Sequence, residues 1–253
     1  MRTLLVFTVL LAAAAADAVA QTRPVPPPGG RDFLFGAPNG SVAVRGGWVL
    51  AGAGSDIFSF VERELTIDKD DFNTYSLGGD IAFALSPRVD IVAGADWQRV
   101  AIDSEYRDFV DNDRLPIEQR TSLQQMNLTG SIRFALASKG REISNLAWVP
   151  RSVVPYVGVG GGAMWYEFKQ AGDFIDALDP PPQAIFSDVF TSKGWTPSAH
   201  VFGGVDLKLY RQWYLTLDGR YVWADADLGS DFDGFEPIDL SGFRFGAGIN
   251  VLF

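Results

Sequence analysis

The chain has 253 residues, no cysteine, a formal net charge of −10 and a composition that is 47% hydrophobic and 13% aromatic. The missing cysteines exclude disulfides, thiolate metal sites and cysteine nucleophiles, and the acidic balance argues against nucleic acid as a partner. No stretch after residue 20 is long and apolar enough for a transmembrane helix, so a chain this apolar has to hide its hydrophobic side chains by alternation along strands.

Residues 1–20 read as a secretory signal peptide: Arg2 supplies a positive start, an apolar run follows, and Ala18-Val19-Ala20 forms a small-x-small cleavage site before Gln21. The run of about 13 apolar residues is shorter than the roughly 20 needed to span a bilayer. Residues 21–40 read as a Pro-rich periplasmic N-terminal segment, of which residues 21–30, with Pro24, Pro26, Pro27 and Pro28, are not expected to join a hydrogen-bonded ladder. From residue 41 to residue 253 the pattern predicts eight amphipathic strands, at residues 41–53, 73–85, 89–105, 119–136, 153–168, 196–209, 213–224 and 238–253. A ten-strand arrangement is the alternative, with residues 184–190 in an extra hairpin.

The connections alternate in length. Residues 86–88 and 210–212 are tight turns and residues 137–152 a longer one, whereas 54–71, 106–118, 169–194 and 225–239 are long and polar. Short turns on the periplasmic side and long loops outside are the habit of single-chain outer-membrane barrels. Ile57, Phe58, Phe60, Val61 and Leu65 fit either a short amphipathic helix on the barrel rim or a strand extension.

Strand parity separates a lipid-facing set from a lumen-facing one. Within residues 213–224, Trp213, Leu215, Leu217, Tyr221 and Trp223 share one face, with the tryptophans spaced for two aromatic girdles. The same parity points Arg45, Asp80, Asp90, Asp96, Arg133, Asp206, Lys208, Asp218, Arg220 and Arg244 inward, five acids against five bases. An eight-stranded barrel is only wide enough for its own side chains to fill it, so these charges are expected to form a hydrogen-bonded ion-pair network in place of a wide pore. Ion conduction or proton relay is the competing use.

The last strand carries Phe243, Phe245, Ala247, Ile249, Val251 and Phe253 at alternate positions, with Arg244, Gly246, Gly248 and Asn250 between them. Together with the export signal and the run Pro155-Tyr156-Val157-Gly158-Val159-Gly160-Gly161-Gly162, it resembles the small eight-stranded barrels of the outer-membrane protein A and X superfamily. The resemblance covers essentially all of the mature chain. It implies an all-β, antiparallel up-and-down transmembrane β-barrel with long extracellular loops, located in the bacterial outer membrane. It also implies that Phe245, Ile249, Val251 and Phe253 present an assembly signal to the barrel-assembly machinery. With no periplasmic domain after Phe253, tethering to peptidoglycan is not expected. Members of this class stabilise envelopes, adhere, conduct small solutes or modify lipids, so the architecture alone does not select an activity.

Ser198 and His200 share a strand face, and barrel lipid hydrolases place a Ser/His pair on one strand. Here the order is reversed and no acid is placed to orient the imidazole, so no catalytic residue is assigned and the protein is not expected to be an enzyme. The four long connections carry more than the whole negative net charge, and residues 225–239 alone hold six acids and no base: Asp225, Asp227, Asp231, Asp233, Glu236 and Asp239. Their spacing does not fit an EF-hand loop. No cofactor or resident metal is assigned. The expected partners are outer-membrane lipid and lipopolysaccharide, with divalent cations bridging the acidic rim to lipid phosphates. The expected role is structural or surface-interactive through the acidic loops, with a narrow channel as the alternative.

Overall fold

The computed structural model describes residues 33–111, 113–144, 147–175 and 184–253, so the expected signal peptide and most of the Pro-rich segment, residues 1–32, lie outside the described residues. In chain order the elements are β1 (Gly40–Ala51), α1 (Asp56–Glu64), β2 (Thr74–Ala84), β3 (Val89–Val110), β4 (Pro116–Ala135), β5 (Gly140–Ser144), β6 (Ala147–Pro150), β7 (Val153–Ile175), β8 (Ile185–Tyr210), β9 (Trp213–Trp223), β10 (Asp225–Ala226), β11 (Ile238–Asp239) and β12 (Gly242–Leu252). Eight of the strands close into one barrel in the order β1-β12-β9-β8-β7-β4-β3-β2. Every neighbouring pair is antiparallel.

Closure follows from the alternation of side chains. With every strand paired on both sides, backbone donors and acceptors are satisfied within the sheet, which is what a hydrocarbon environment demands. The outward set is apolar and exposed: Val44, Trp48, Leu77, Phe83, Trp97, Leu128, Ile132, Val159, Leu217, Phe245 and Ile249 stand on the barrel's surface. Trp213 and Trp223, both 47% exposed, mark the two ends of this belt on β9. The seam joins β1 to β12 from Ser41↔Leu252 to Ala51↔Gly242. Beyond it the Phe253 amide donates to Gly40 O at 3.0 Å and the Phe253 carbonyl accepts from Asn39 N at 2.8 Å.

The inner face of β7 is glycine-rich because neighbours come close. A Cβ at Gly158 would lie 2.2 Å from the Phe202 ring and 2.7 Å from Ile132 O. That vacancy makes room for the ring of Phe202 on the neighbouring strand, which also lies 5.1 Å from the guanidinium carbon of Arg220 on its other side.

Several expected boundaries are corrected. The barrel has eight strands, and residues 185–190 continue β8 along β7, from Gln170↔Phe190 to Ile175↔Ile185, without adding a hairpin. The expected loop at 169–194 is therefore largely ladder, and β3 likewise runs on to Val110. The expected strand 238–253 is two elements. Ile238–Asp239 pairs with Asp225–Ala226 in a separate ribbon, and the barrel strand begins at Gly242. The break sits at Asp239, whose carboxylate accepts from Ser241 N and Gly54 N, each at 2.9 Å. The connection after β4 holds the β5–β6 hairpin, and Leu34 makes an isolated antiparallel bridge to Trp148 of that hairpin.

The four strands β3, β4, β7 and β8 are 20 to 26 residues long, against 11 or 12 for β1, β2, β9 and β12. They project beyond the belt as a four-stranded wall on one side of the barrel. Both edges of the wall are covered. On β3, Thr66 N donates to Glu105 O at 2.9 Å and Glu105 N to Thr66 Oγ1 at 3.0 Å. On β8, Thr191 N donates to Asp231 Oδ2 at 3.0 Å.

Candidate functional site

The lumen is built in two layers. In the upper layer, toward the long connections, α1 turns Ile57, Phe58 and Val61 inward, its helical spacing placing them on one face. They pack with Leu65, Ile67, Phe72, Leu123, Met164, Tyr166, Phe168, Val222, Phe232, Ile238 and Leu240 into an apolar plug. Phe58 meets Phe72 and Phe168 edge-on, with centroids 4.8 and 6.1 Å apart. Residues 55–65 are thus chiefly a helix, and it fills the mouth of the barrel.

Side chains from the acidic connections tie the plug in place. Asp56 accepts from Glu236 N at 3.1 Å, and Ser55 Oγ accepts from Asp239 N at 3.1 Å. The Tyr166 hydroxyl donates to Asp227 O at 2.7 Å, and Thr196 bonds Asp225 O. Within the acidic set Asp225, Asp227, Asp231, Asp233 and Glu236, Asp231 caps an edge strand, the backbones of Asp227 and Glu236 hold the plug, and that of Asp225 is tied to Thr196 of β8. Among the described residues no three His, Asp or Glu side chains converge on a metal-sized site.

The lower layer holds the charges read from parity. Arg45 pairs with Asp80 and reaches Asp96 at 3.3 Å, and Arg220 meets the other Asp96 oxygen at 3.2 Å. Asp218 lines a cavity of about 20 Å³ with Arg45, Asp96, Arg220 and Arg244. Nearer the short turns, Arg133 bonds Asp90 at 2.8 and 2.9 Å and lies 3.7 Å from Asp206. Lys139 also pairs with Asp90. Lys139 is a member that the sequence reading missed, since it follows β4 in a turn where strand parity gives no signal. Lys208 is half-buried at the short-turn end.

The expected one-to-one balance does not extend to Arg244. Its guanidinium donates to Gln125 Oε1 at 3.2 Å, which also accepts from Gln98 Nε2 at 2.7 Å, while Arg244 Nε has no protein partner. A cavity of about 10 Å³ beside these groups, between plug and network, has room for about one water molecule.

Ser198 and His200 do face the same side, but they do not pair. Ser198 Oγ donates to Asn127 Oδ1 at 2.8 Å, whereas His200 Nε2 shares a hydrogen bond with Ser131 Oγ at 2.9 Å over Gly160, which lies between them in the register row. His200 is fully buried. Phe245, Ile249, Val251 and Phe253 all lie on the outer face of the last strand, and the Phe253 ring stands 6.3 Å from that of Phe83.

A closed eight-stranded barrel with an apolar exterior, a polar lower lumen and aromatic belts defines the class: this is a transmembrane β-barrel of the bacterial outer-membrane type. No family model matches the sequence, and no curated protein does. Among solved structures the chain is similar to Neisserial surface protein A, at 10% identity and a TM-score of 0.44 over 85% of this chain and 95% of that one. It is similar to the outer membrane protein OprG from Pseudomonas aeruginosa, at 11% identity and a TM-score of 0.45 over 87% and 99%. It is also similar to the outer membrane protein AlkL in lipid bilayers, at 14% identity and a TM-score of 0.34 over 92% and 96%.

Proposed function

We propose that this protein is a structural or surface-interaction barrel of the outer membrane that does not conduct and is not an enzyme, with the plugged end and its wall facing outward. The observation that carries this reading is the double filling of the lumen, an apolar plug above an ion-pair network. A solute would have to displace Phe58 and Phe168 and then separate buried charges, which supports the non-conducting reading. The Ser131–His200 pair is enclosed in the same lumen, out of reach of a lipid substrate.

Outer-leaflet lipid and lipopolysaccharide are the partners that such a surface meets, with the barrel-assembly machinery acting on the last strand. Divalent cations are proposed at the acidic connections, although Asp231 and Asp239 are already engaged as backbone acceptors. A narrow channel gated by α1 is the second reading, and the polar lower lumen favours it.

Planar-bilayer recording separates the two. The unmodified protein is expected to show little steady conductance, and a large, stable conductance overturns the filled-lumen reading. Protease added to intact cells tests the orientation: cleavage is expected within 169–194, between β7 and β8, with the 86–88 turn spared. Cutting at 86–88 alone would reverse the assignment.

A further inference from the structure

On the outer face of the wall the membrane-facing pattern gives way to charge over a single step along the strands. Trp97↔Met126↔Trp165↔Trp195 form one register row, and two residues further out the row reads Arg99↔Gln124↔Glu167↔Lys193. Beyond that come Lys169, opposite Ser122, and Arg120, opposite Asp103. Strands in such a barrel tilt by about 40°, so residues at one height follow a diagonal across the register, and here that diagonal is Arg120, Lys169, Lys193. Arg120 is well exposed and makes only a surface pair with Asp103 at 3.3 Å. Among the described residues no carboxylate lies within ion-pair distance of Lys169 or Lys193. Three cations thus stand in a line above a tryptophan row, with Asp103 beside Arg120 and Glu167 opposite Lys193 as their acidic neighbours.

Directly outside this diagonal an open groove of about 670 Å³ crosses β3, β4 and β7. Its lining includes Asp103, Glu105, Glu118, Gln119, Arg120 and Gly172. Gly172 has φ +142°, and a Cβ there would lie 2.4 Å from Glu118 O, so the strands close up at this point only because the residue is glycine. Carboxylate and amide oxygens are acceptors for sugar hydroxyls, and guanidinium and ammonium groups pair with phosphate.

We propose that the outer face of this wall binds the phosphorylated saccharide headgroup of an outer-leaflet glycolipid, with Arg120, Lys169 and Lys193 on the phosphates and the groove carboxylates on the sugar. The lipid-anchored source is favoured because the diagonal continues directly from the lipid-facing Trp165 and Trp195, which would hold the acyl chains alongside. This rests on the proposed orientation of the plugged end toward the outer leaflet.

The test uses the full-length barrel in phosphatidylcholine nanodiscs, with and without lipopolysaccharide, compared with the Arg120→Gln, Lys169→Gln, Lys193→Gln triple variant and an Arg88→Gln, Arg141→Gln control. Heat-modifiable gel mobility verifies folding of each. Lipopolysaccharide retention by the triple variant is expected to fall at least ten-fold, with the control unchanged. Enzymatically dephosphorylated lipopolysaccharide is expected to bind the unmodified protein as weakly as intact lipid binds the triple variant. Equal retention by triple variant and unmodified protein overturns the proposal, as does indifference to dephosphorylation. Tighter binding of a soluble sulfated polysaccharide than of the lipid would overturn the lipid as the source. The protease experiment on intact cells is independent, so failure of the orientation is distinguishable from failure of the lipid contact.

Discussion

Arg45 is the residue on which most of the lumen's electrostatics converge, since it contacts both Asp80 and Asp96 and is itself buried. Replacing it with alanine leaves Asp80 without its cation, while Asp96 keeps Arg220. The Arg45→Ala variant is expected to lose about 3–5 kcal/mol of stability, whereas Arg120→Ala on the outer wall should stay within about 0.5 kcal/mol. Denaturant titration of the refolded barrel, followed by tryptophan fluorescence, measures both, and equal losses would mean that the network contributes little. Arg244→Ala is expected to cost less than Arg45→Ala, because its guanidinium donates to the neutral Gln125. This ranking was not legible in the sequence. Period-two alternation offered a face for each side chain, and the ten strand-borne charges Arg45, Asp80, Asp90, Asp96, Arg133, Asp206, Lys208, Asp218, Arg220 and Arg244 are half-buried or buried. It carried no information on which of them meet, since partners such as Asp96 and Arg220 sit on strands related only by the closed register of the barrel. The same limit separated Ser198 from His200: sharing a face is a local property, and finding Asn127 or Ser131 opposite is not.

At the scale of elements the membrane strands were readable and their extensions were not, for one physical reason. Within the belt the outward face of β7 is apolar, as at Val157 and Val159, and polar or small residues face inward. Above the belt the phase inverts, so that Tyr166 and Phe168 turn inward against the plug while Glu167 and Lys169 face out. A strand whose alternation changes phase looks, in sequence, like a strand that ends. The helix α1 was ambiguous for a related reason, because nine residues with apolar groups at 57, 58 and 61 are too short for either period to dominate. Its packing predicts its energetics. Phe58 is 1% exposed and touches two aromatic rings, so Phe58→Ala should destabilise the barrel by about 3–5 kcal/mol. Thermal loss of heat-modifiable mobility would register the change. An unaffected transition would show that α1 rests on the mouth without contributing to the fold.

For the molecule as a whole, closure depends on a seam between the first and last barrel strands, and Phe253 stands at its lower end, bonded to Gly40 and Asn39. Its amide and carbonyl contribute to the folded seam, while its outward ring is the terminal aromatic expected to be read during assembly. Deleting Phe253 is therefore expected to lower the yield of inserted barrel in cells more than it lowers the stability of the same variant refolded in detergent. Heat-modifiable mobility of membrane fractions, set beside in vitro refolding, measures the two losses, and parity between them would leave Phe253 as a seam residue alone. The wall adds a mechanical property to this closed cylinder. Since β7 and β8 continue from the membrane into the projecting hairpin without interruption, a load applied at that hairpin runs along the strand direction. The hydrogen bonds of an antiparallel ladder lie across that direction, so tension at the tip shears many of them together where a sideways pull would open them one after another. A partner gripping the wall would thus be held by the strongest loading geometry a sheet offers, with the lipid-embedded barrel as its anchor.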